Sequence, residues 1–180
     1  MSEQDRVRWD ARYAAQSGDH RGEPPWAFAP FESAFPDTGT ALDLACGRGP
    51  GSVWLARRGL QVWGIDVSAV AIAQARAAAA GAGVADRCRF DVVDLDDGLP
   101  AGPPFDVILC HRFRDARLDR ALVDRLAPGG LLAISVLSEV GSVPGPFRAK
   151  PGELTAAFAD LEVIAAGEGA GEAWLLGRRG

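Results

Sequence analysis

Three acids, three glycines and one histidine in this sequence have types and spacings that could do chemistry. The apolar run Ala41-Leu42-Asp43-Leu44 carries a carboxylate near its end. Gly47, Gly49 and Gly51 then follow on alternate residues, before Val53, Leu55 and Ala56 continue at helical spacing. The pattern is strand, tight turn, helix. Glycines there let the main chain take positive φ and come close to a ligand that a Cβ would hold off, and Asp43 can hold a cation or a hydroxyl. Asp66 closes a second apolar run, Gln61 to Val67, a little over twenty residues further on. In a right-handed βαβ crossover the second strand lies beside the first, which places Asp66 to accept hydrogen bonds from ribose hydroxyls. Asp94 stands near the end of a third run, Arg89 to Leu95, and His111 follows a fourth, Phe105 to Cys110. A histidine ionises near neutrality, which suits deprotonating a thiol or hydroxyl nucleophile.

Three ligand classes use such a glycine loop, and the surrounding residues separate them. A phosphate-cradling loop would close on Gly-Lys-Ser/Thr, which is absent. A dinucleotide puts its pyrophosphate on the helix N-terminus, where a carboxylate directly before the glycines is an unfavourable neighbour. S-adenosylmethionine carries an ammonium and a cationic sulfur, so Asp43 becomes an asset.

Asp43 through Gly51 resembles motif I of the class I S-adenosylmethionine-dependent methyltransferases, with Ala45 where many members have glycine. Trp9-Asp10-Ala11-Arg12-Tyr13 is similar to the leading helix of small members, and Leu126-Ala127-Pro128-Gly129-Gly130-Leu131-Leu132 to the turn and strand after motif III. The small size and the phrase Gly145 to Leu154 look like the branch related to tellurite-resistance and thiopurine methyltransferases. The resemblance implies an α/β fold with a Rossmann-like, doubly wound sheet of seven strands, the last antiparallel, and helices on both faces. It implies a single domain over 1–180, in which 1–35 form an N-terminal helix and a lid or substrate segment. The implied cofactor is S-adenosyl-L-methionine. Asp43, Ala45, Gly47 and Gly49 would form its loop, and Asp66 would hold the ribose. Asp94 would accept the adenine amine, with Val67 and Leu95 packing on the ring. Trp9 and Arg12 would close from the leading helix, Arg12 toward the methionine carboxylate. Cys110, at the tip of the fourth strand, would face the sulfonium methyl. Tyr13 and Arg112 are the implied substrate contacts, and His111 the candidate base.

The elements that position these residues are readable from period and punctuation. Asp5 to Ala15 has the near-helical spacing of a short amphipathic helix, and Gln16 to Pro25 reads as a mobile loop. Trp26, Phe28, Phe31 and Phe35 have two readings, the lining of a substrate mouth and, more often at this spacing, one face of a buried helix. Ser68 is a good N-cap for an alanine-rich helix, Ala69 to Ala80, ended by Gly81 and Gly83. Asp91 reads as an edge residue and Asp96 and Asp97 as solvated loop charge. A helix over Leu118 to Leu126, the Pro128-Gly129-Gly130 turn, a strand over Leu131 to Leu137 and a short helix near Glu153 to Ala159 follow. Leu161 to Ala165 and Ala173 to Leu176 would form a closing antiparallel hairpin.

Composition narrows the function classes. The net charge of −5, with Lys150 the only lysine, argues against a general nucleic-acid binder. The residues around His111 lack the Asn/Asp-Pro-Pro-Tyr/Phe box with which amino-methylating members hold a planar nitrogen, which disfavours base or glutamine methylation. Cys46, Cys88 and Cys110 are far apart, read as reduced, and with His20 and His111 make no zinc spacing. No signal peptide and no apolar run of membrane-spanning length is evident, so the reading is cytoplasmic, with no membrane partner. The expected activity is in-line SN2 transfer of a methyl group to a small-molecule thiol, hydroxyl or chalcogen oxyanion, by a monomer or homodimer. A non-catalytic S-adenosylmethionine-binding protein and a nicotinamide-dependent oxidoreductase are the other classes consistent with the same loop.

Overall fold

Strand β1 (Thr40–Leu44) is buried along nearly its whole length, because its aliphatic residues are covered on both faces. It pairs in parallel with β2 (Gln61–Asp66), which pairs in parallel with β3 (Cys88–Val92). The computed structural model describes residues 3–15, 22–145 and 148–180. The chain divides into two compact units, 1–24 with 36–100, and 25–35 with 101–180.

In the first unit, helix α2 (Pro50–Arg58) starts at Pro50, whose missing N–H is no loss in a first turn, and stops at Gly59 with φ 116°. Helix α3 (Ala69–Gly81) begins where the Ser68 side chain accepts the Ala71 amide. Its alanines allow close approach to the strands. Gly64 on β2 extends this economy, since a Cβ there would stand 2.6 Å from the Phe90 ring. Helix α1 (Glu3–Ala14) packs against α3.

In the second unit, β4 (Phe105–His111) runs parallel to β5 (Leu126–Ser138), and β5 also pairs with the two-residue β6 (Arg148–Ala149). Strand β8 (Glu172–Arg178) is antiparallel to both β5 and β7 (Glu162–Gly169). The helices here are α4 (Asp119–Arg125) and α5 (Glu153–Ala157). Phe28, fully buried, meets Phe35 and Trp174 edge-on at 6.3 and 6.4 Å.

The architecture is α/β and Rossmann-like, with the strands mostly parallel and β8, last in the chain, antiparallel to its neighbours β5 and β7. Eight strands occur among the described residues where seven were expected, the extra one being β6. Two local expectations need correction. The aromatic segment is not a helix face: a 3-10 turn over Ala29–Ala34 sits between buried Phe28 and Phe35, and Trp26 is 58% exposed. Pro128-Gly129-Gly130 does not precede the strand but interrupts it, the register passing from Phe105↔Leu126 to Val107↔Leu131. Asp91 lies on the edge strand β3 as expected, and there it accepts the Trp63 indole N–H at 2.8 Å and pairs with Arg89. Part of the predicted mobile loop, 16–21 with His20, lies outside the described residues, as do Pro146 and Phe147. No helix among the described residues is long and apolar enough to cross a membrane.

Candidate functional site

Asp66 ties the glycine loop to the end of β2. Its Oδ2 accepts the Gly47 amide and its Oδ1 the Ser68 amide, each at 2.9 Å. The carboxyl is only 6% exposed; burial pushes its pKa up, and these amide bonds pull it back toward the charged form. The loop itself turns through Ala45, Gly47 and Gly49 at φ 53°, 54° and 81°. Ala45 holds a left-handed conformation that glycine would hold at lower energy, which matches its standing where the resembled motif has glycine. Gly47 is required twice over, since a Cβ would also stand 2.9 Å from the Tyr13 hydroxyl. Gly49 is required by packing, with the Ala75 Cβ 2.9 Å from its missing side chain.

Asp43 is buried, and the Ser52 hydroxyl in the first turn of α2 donates to its Oδ2 at 2.6 Å. Desolvation raises its pKa to about 7, with Ser52 opposing the rise. The carboxyl predicted at a strand tip is thus engaged with the start of α2. Ser52 was invisible to the sequence reading, although a serine one turn into a helix after a glycine loop was an available signal.

From α1, Trp9 stacks on Tyr13 with centroids 5.8 Å apart, and the exposed Arg12 guanidinium lies 5.0 Å from the Trp9 ring centroid. The Tyr13 carbonyl accepts Gln74 Nε2 at 3.1 Å. Burial and the nearby Asp66 push the Tyr13 phenol above its ordinary pKa, so it stays protonated. Asp10, which the sequence reading passed over, accepts the Ser68 hydroxyl and so pins α1 to the start of α3. Asp94 lies two residues beyond β3 and caps a 3-10 turn, its side chain accepting the Asp96 amide. Val67 and Leu95 are both buried.

In the second unit, the buried Cys110 thiol donates to the Phe113 carbonyl at 3.3 Å. His111 Nδ1 is 2.6 Å from Ser135 Oγ. Burial first, and then Arg112, push the imidazole pKa down to about 4, with Glu172 opposing. A ring that weakly basic is neutral at pH 7 and a poor proton acceptor. Arg112, at φ 57°, donates to Glu172 Oε1 at 2.9 Å, and Glu172 also accepts the Trp26 indole N–H. Ser135 and Glu172 carried no sequence signal; strand pairing alone brings them to His111 and Arg112. Arg114, only 6% exposed, is claimed by Asp119 and Glu153, which gives it a structural occupation.

Residues 41–130 match the family described as Methyltransferase domain. The chain belongs to this family. The cofactor that the glycine loop implies is S-adenosyl-L-methionine. A ribosomal RNA small subunit methyltransferase C of Chromohalobacter salexigens is 33% identical over 130 residues, 69% of this chain and 37% of that protein. TehB of Haemophilus influenzae shares the fold with a TM-score of 0.71 at 19% identity, over 86% of this chain and 60% of that one. A methyltransferase of Geobacter sulfurreducens, solved with S-adenosyl-L-homocysteine, gives 0.67 at 23% identity, over 89% and 73%. This methyltransferase domain spans between 26% and 37% of the length of the curated relatives it matches.

The residues of the methyltransferase domain suit that cofactor. Asp66 accepts the Gly47 and Ser68 amides on different oxygens, and a carboxylate oxygen can accept more than one donor, hydroxyls included. At Gly47 the space that a side chain would take is held by the Tyr13 hydroxyl, which stands beside the loop backbone.

Proposed function

We propose that this domain transfers the methyl group of S-adenosyl-L-methionine to a small-molecule nucleophile, a thiol, hydroxyl or chalcogen oxyanion. The observation that carries the cofactor half is the Asp66 carboxylate fastened to Gly47 and Ser68 at the mouth of the glycine loop. In this reading Asp66 holds the ribose, and Gly47 and Gly49, at positive φ, turn the main chain of the loop that meets the cofactor. Asp94 accepts the adenine amine between Val67 and Leu95, and Arg12 with Trp9 meets the methionine end. When bound, the cofactor supplies an electrophilic methyl on a cationic sulfur. The protein's task is then to align the nucleophile and keep water away, which supplies most of the acceleration for a transfer that is already downhill.

The acceptor half is supported by Cys110-His111-Arg112-Phe113 standing where amino-methylating members carry their planar-nitrogen box, and by the net charge of −5. His111, Arg112 and Tyr13 are the residues assigned to the acceptor. Ribosomal RNA is the second reading, favoured by the name of the Chromohalobacter relative. The test is labelled-methyl transfer to small thiols, hydroxyl compounds and chalcogen oxyanions beside small-subunit ribosomal RNA, with calorimetry of S-adenosyl-L-homocysteine. Binding with transfer to a small acceptor alone is expected. Transfer to RNA alone would replace the small-molecule reading, and binding with no transfer to any acceptor would favour a non-catalytic cofactor-binding role.

A further inference from the structure

The β4–β5 register sets His111 opposite Ser135, and the two side chains meet at 2.6 Å between Nδ1 and Oγ. Ser135 is 2% exposed, and among the described residues its hydroxyl has no other hydrogen-bond partner. A hydroxyl has one proton to place, and a buried donor without an acceptor is strongly disfavoured. If Nδ1 carried the ring proton, Nδ1–H would point at Oγ and the Ser135 proton would be left in the core with no acceptor. With Nδ1 bare, the serine donates to it, and both Oγ and Nδ1 are satisfied while Nε2–H stays open.

We infer that Ser135 is a positioning residue that donates to Nδ1 and holds His111 as its Nε2–H tautomer, so that the ring meets the methyl acceptor as a hydrogen-bond donor and the acceptor's attacking atom is already an anion. The inference rests on the reading that His111 contacts the acceptor. It narrows the substrate class to acidic thiols, chalcogen oxyanions and similar ionised groups, and sets aside alkyl hydroxyls that need a base. Such an anion can give one lone pair to Nε2–H and use another for attack. The nucleophile–carbon bond forms as the carbon–sulfur bond breaks, the electron pair of that bond stays on sulfur, and no proton changes hands. The charged groups beside the ring are Arg112 on its own segment and Glu172 from β8, which are paired with each other, so neither supplies a competing base. The neutral ring expected from burial agrees with this arrangement.

Long-range 1H–15N correlation spectra of the labelled full chain test the tautomer directly, with the His20→Asn variant assigning the only other histidine. Expected is a pyridine-type Nδ1 and a pyrrole-type Nε2 on His111 throughout neutral pH, a tautomer mixture in Ser135→Ala, and the wild-type pattern in Ser135→Thr. A pyrrole-type Nδ1 in the wild type, or spectra indifferent to Ser135→Ala, would overturn the inference. In turnover, Ser135→Ala should lower kcat on an acidic thiol about five- to tenfold, with Ser135→Thr restoring it. Rates should follow the acceptor's own ionisation, with no limb near the histidine range. A separate limb there would make His111 a base and overturn the inference. Unchanged turnover of His111→Asn on every acceptor, with the wild-type tautomer as expected, would instead overturn it through the underlying placement of His111.

Discussion

The Tyr13 hydroxyl lies 2.9 Å from the point where a side-chain carbon on Gly47 would stand. A residue of α1 thereby shares the space above the loop, and Gly47 answers to it as well as to its own φ of 54°.

Gly47→Ala is accordingly expected to destabilise the fold by two separable effects. The left-handed backbone contributes about 1–2 kcal/mol. The Tyr13 contact adds to it and is removed by Tyr13→Phe. Denaturant melts of Gly47→Ala alone and combined with Tyr13→Phe should show partial recovery. Full recovery would place the whole effect in the contact, and none would place it in the backbone.

Asp66→Ala removes the acceptor of two loop amides together with the proposed ribose ligand. Affinity for S-adenosyl-L-homocysteine should fall by about 1.5–3 kcal/mol, the range for hydrogen bonds to a charged group. Asp66→Asn, which can still accept one of the amides, should lie between. Unchanged affinity by calorimetry in a folded variant would remove the ribose assignment.

Asp43 predicts a pH dependence of stability. Its carboxyl ionises at 3.8 in the unfolded chain and at about 7 when folded, because burial disfavours the charge. Between those values the folded state keeps a proton that the unfolded state has lost, so stability falls as pH rises from about 4 to 7 and then levels off. The three-unit difference bounds the effect at about 4 kcal/mol. Asp43→Asn, whose amide oxygen can still accept from Ser52, should lose this part of the slope and gain on the wild type above neutrality. Parallel Tm-against-pH curves for the two proteins would contradict the assignment.

Arg112 and Arg114 are two residues apart and should behave oppositely. Arg114→Ala strands the largely buried Asp119 and part of Glu153, and should destabilise by on the order of 3 kcal/mol. Arg112→Ala breaks one exposed pair and should change stability by about 0–1 kcal/mol, with its main effect on acceptor KM. Thermal melts with steady-state kinetics on both variants separate a structural arginine from a substrate-facing one.

The sequence by itself determined the α/β class, the order of the strands that end near acids, the glycine loop and the methyltransferase family. Those features are local: strand and helix periods, Ser68 as a cap, and glycines at fixed offsets are properties of neighbouring residues. The tertiary structure alone decided what each polar group is bonded to. Asp43 meets Ser52, Asp66 meets Gly47, Asp10 meets Ser68 and Arg114 meets Asp119 and Glu153. The same holds for basicity. His111 looks like a base when only its unperturbed pKa is considered, and becomes a neutral ring when the surrounding chain removes its water and Arg112 stands beside it. Sequence spacing carries the period of an element but not its register against another strand. Desolvation and long-range hydrogen bonds are set by that register, and they exist only once the strands have paired.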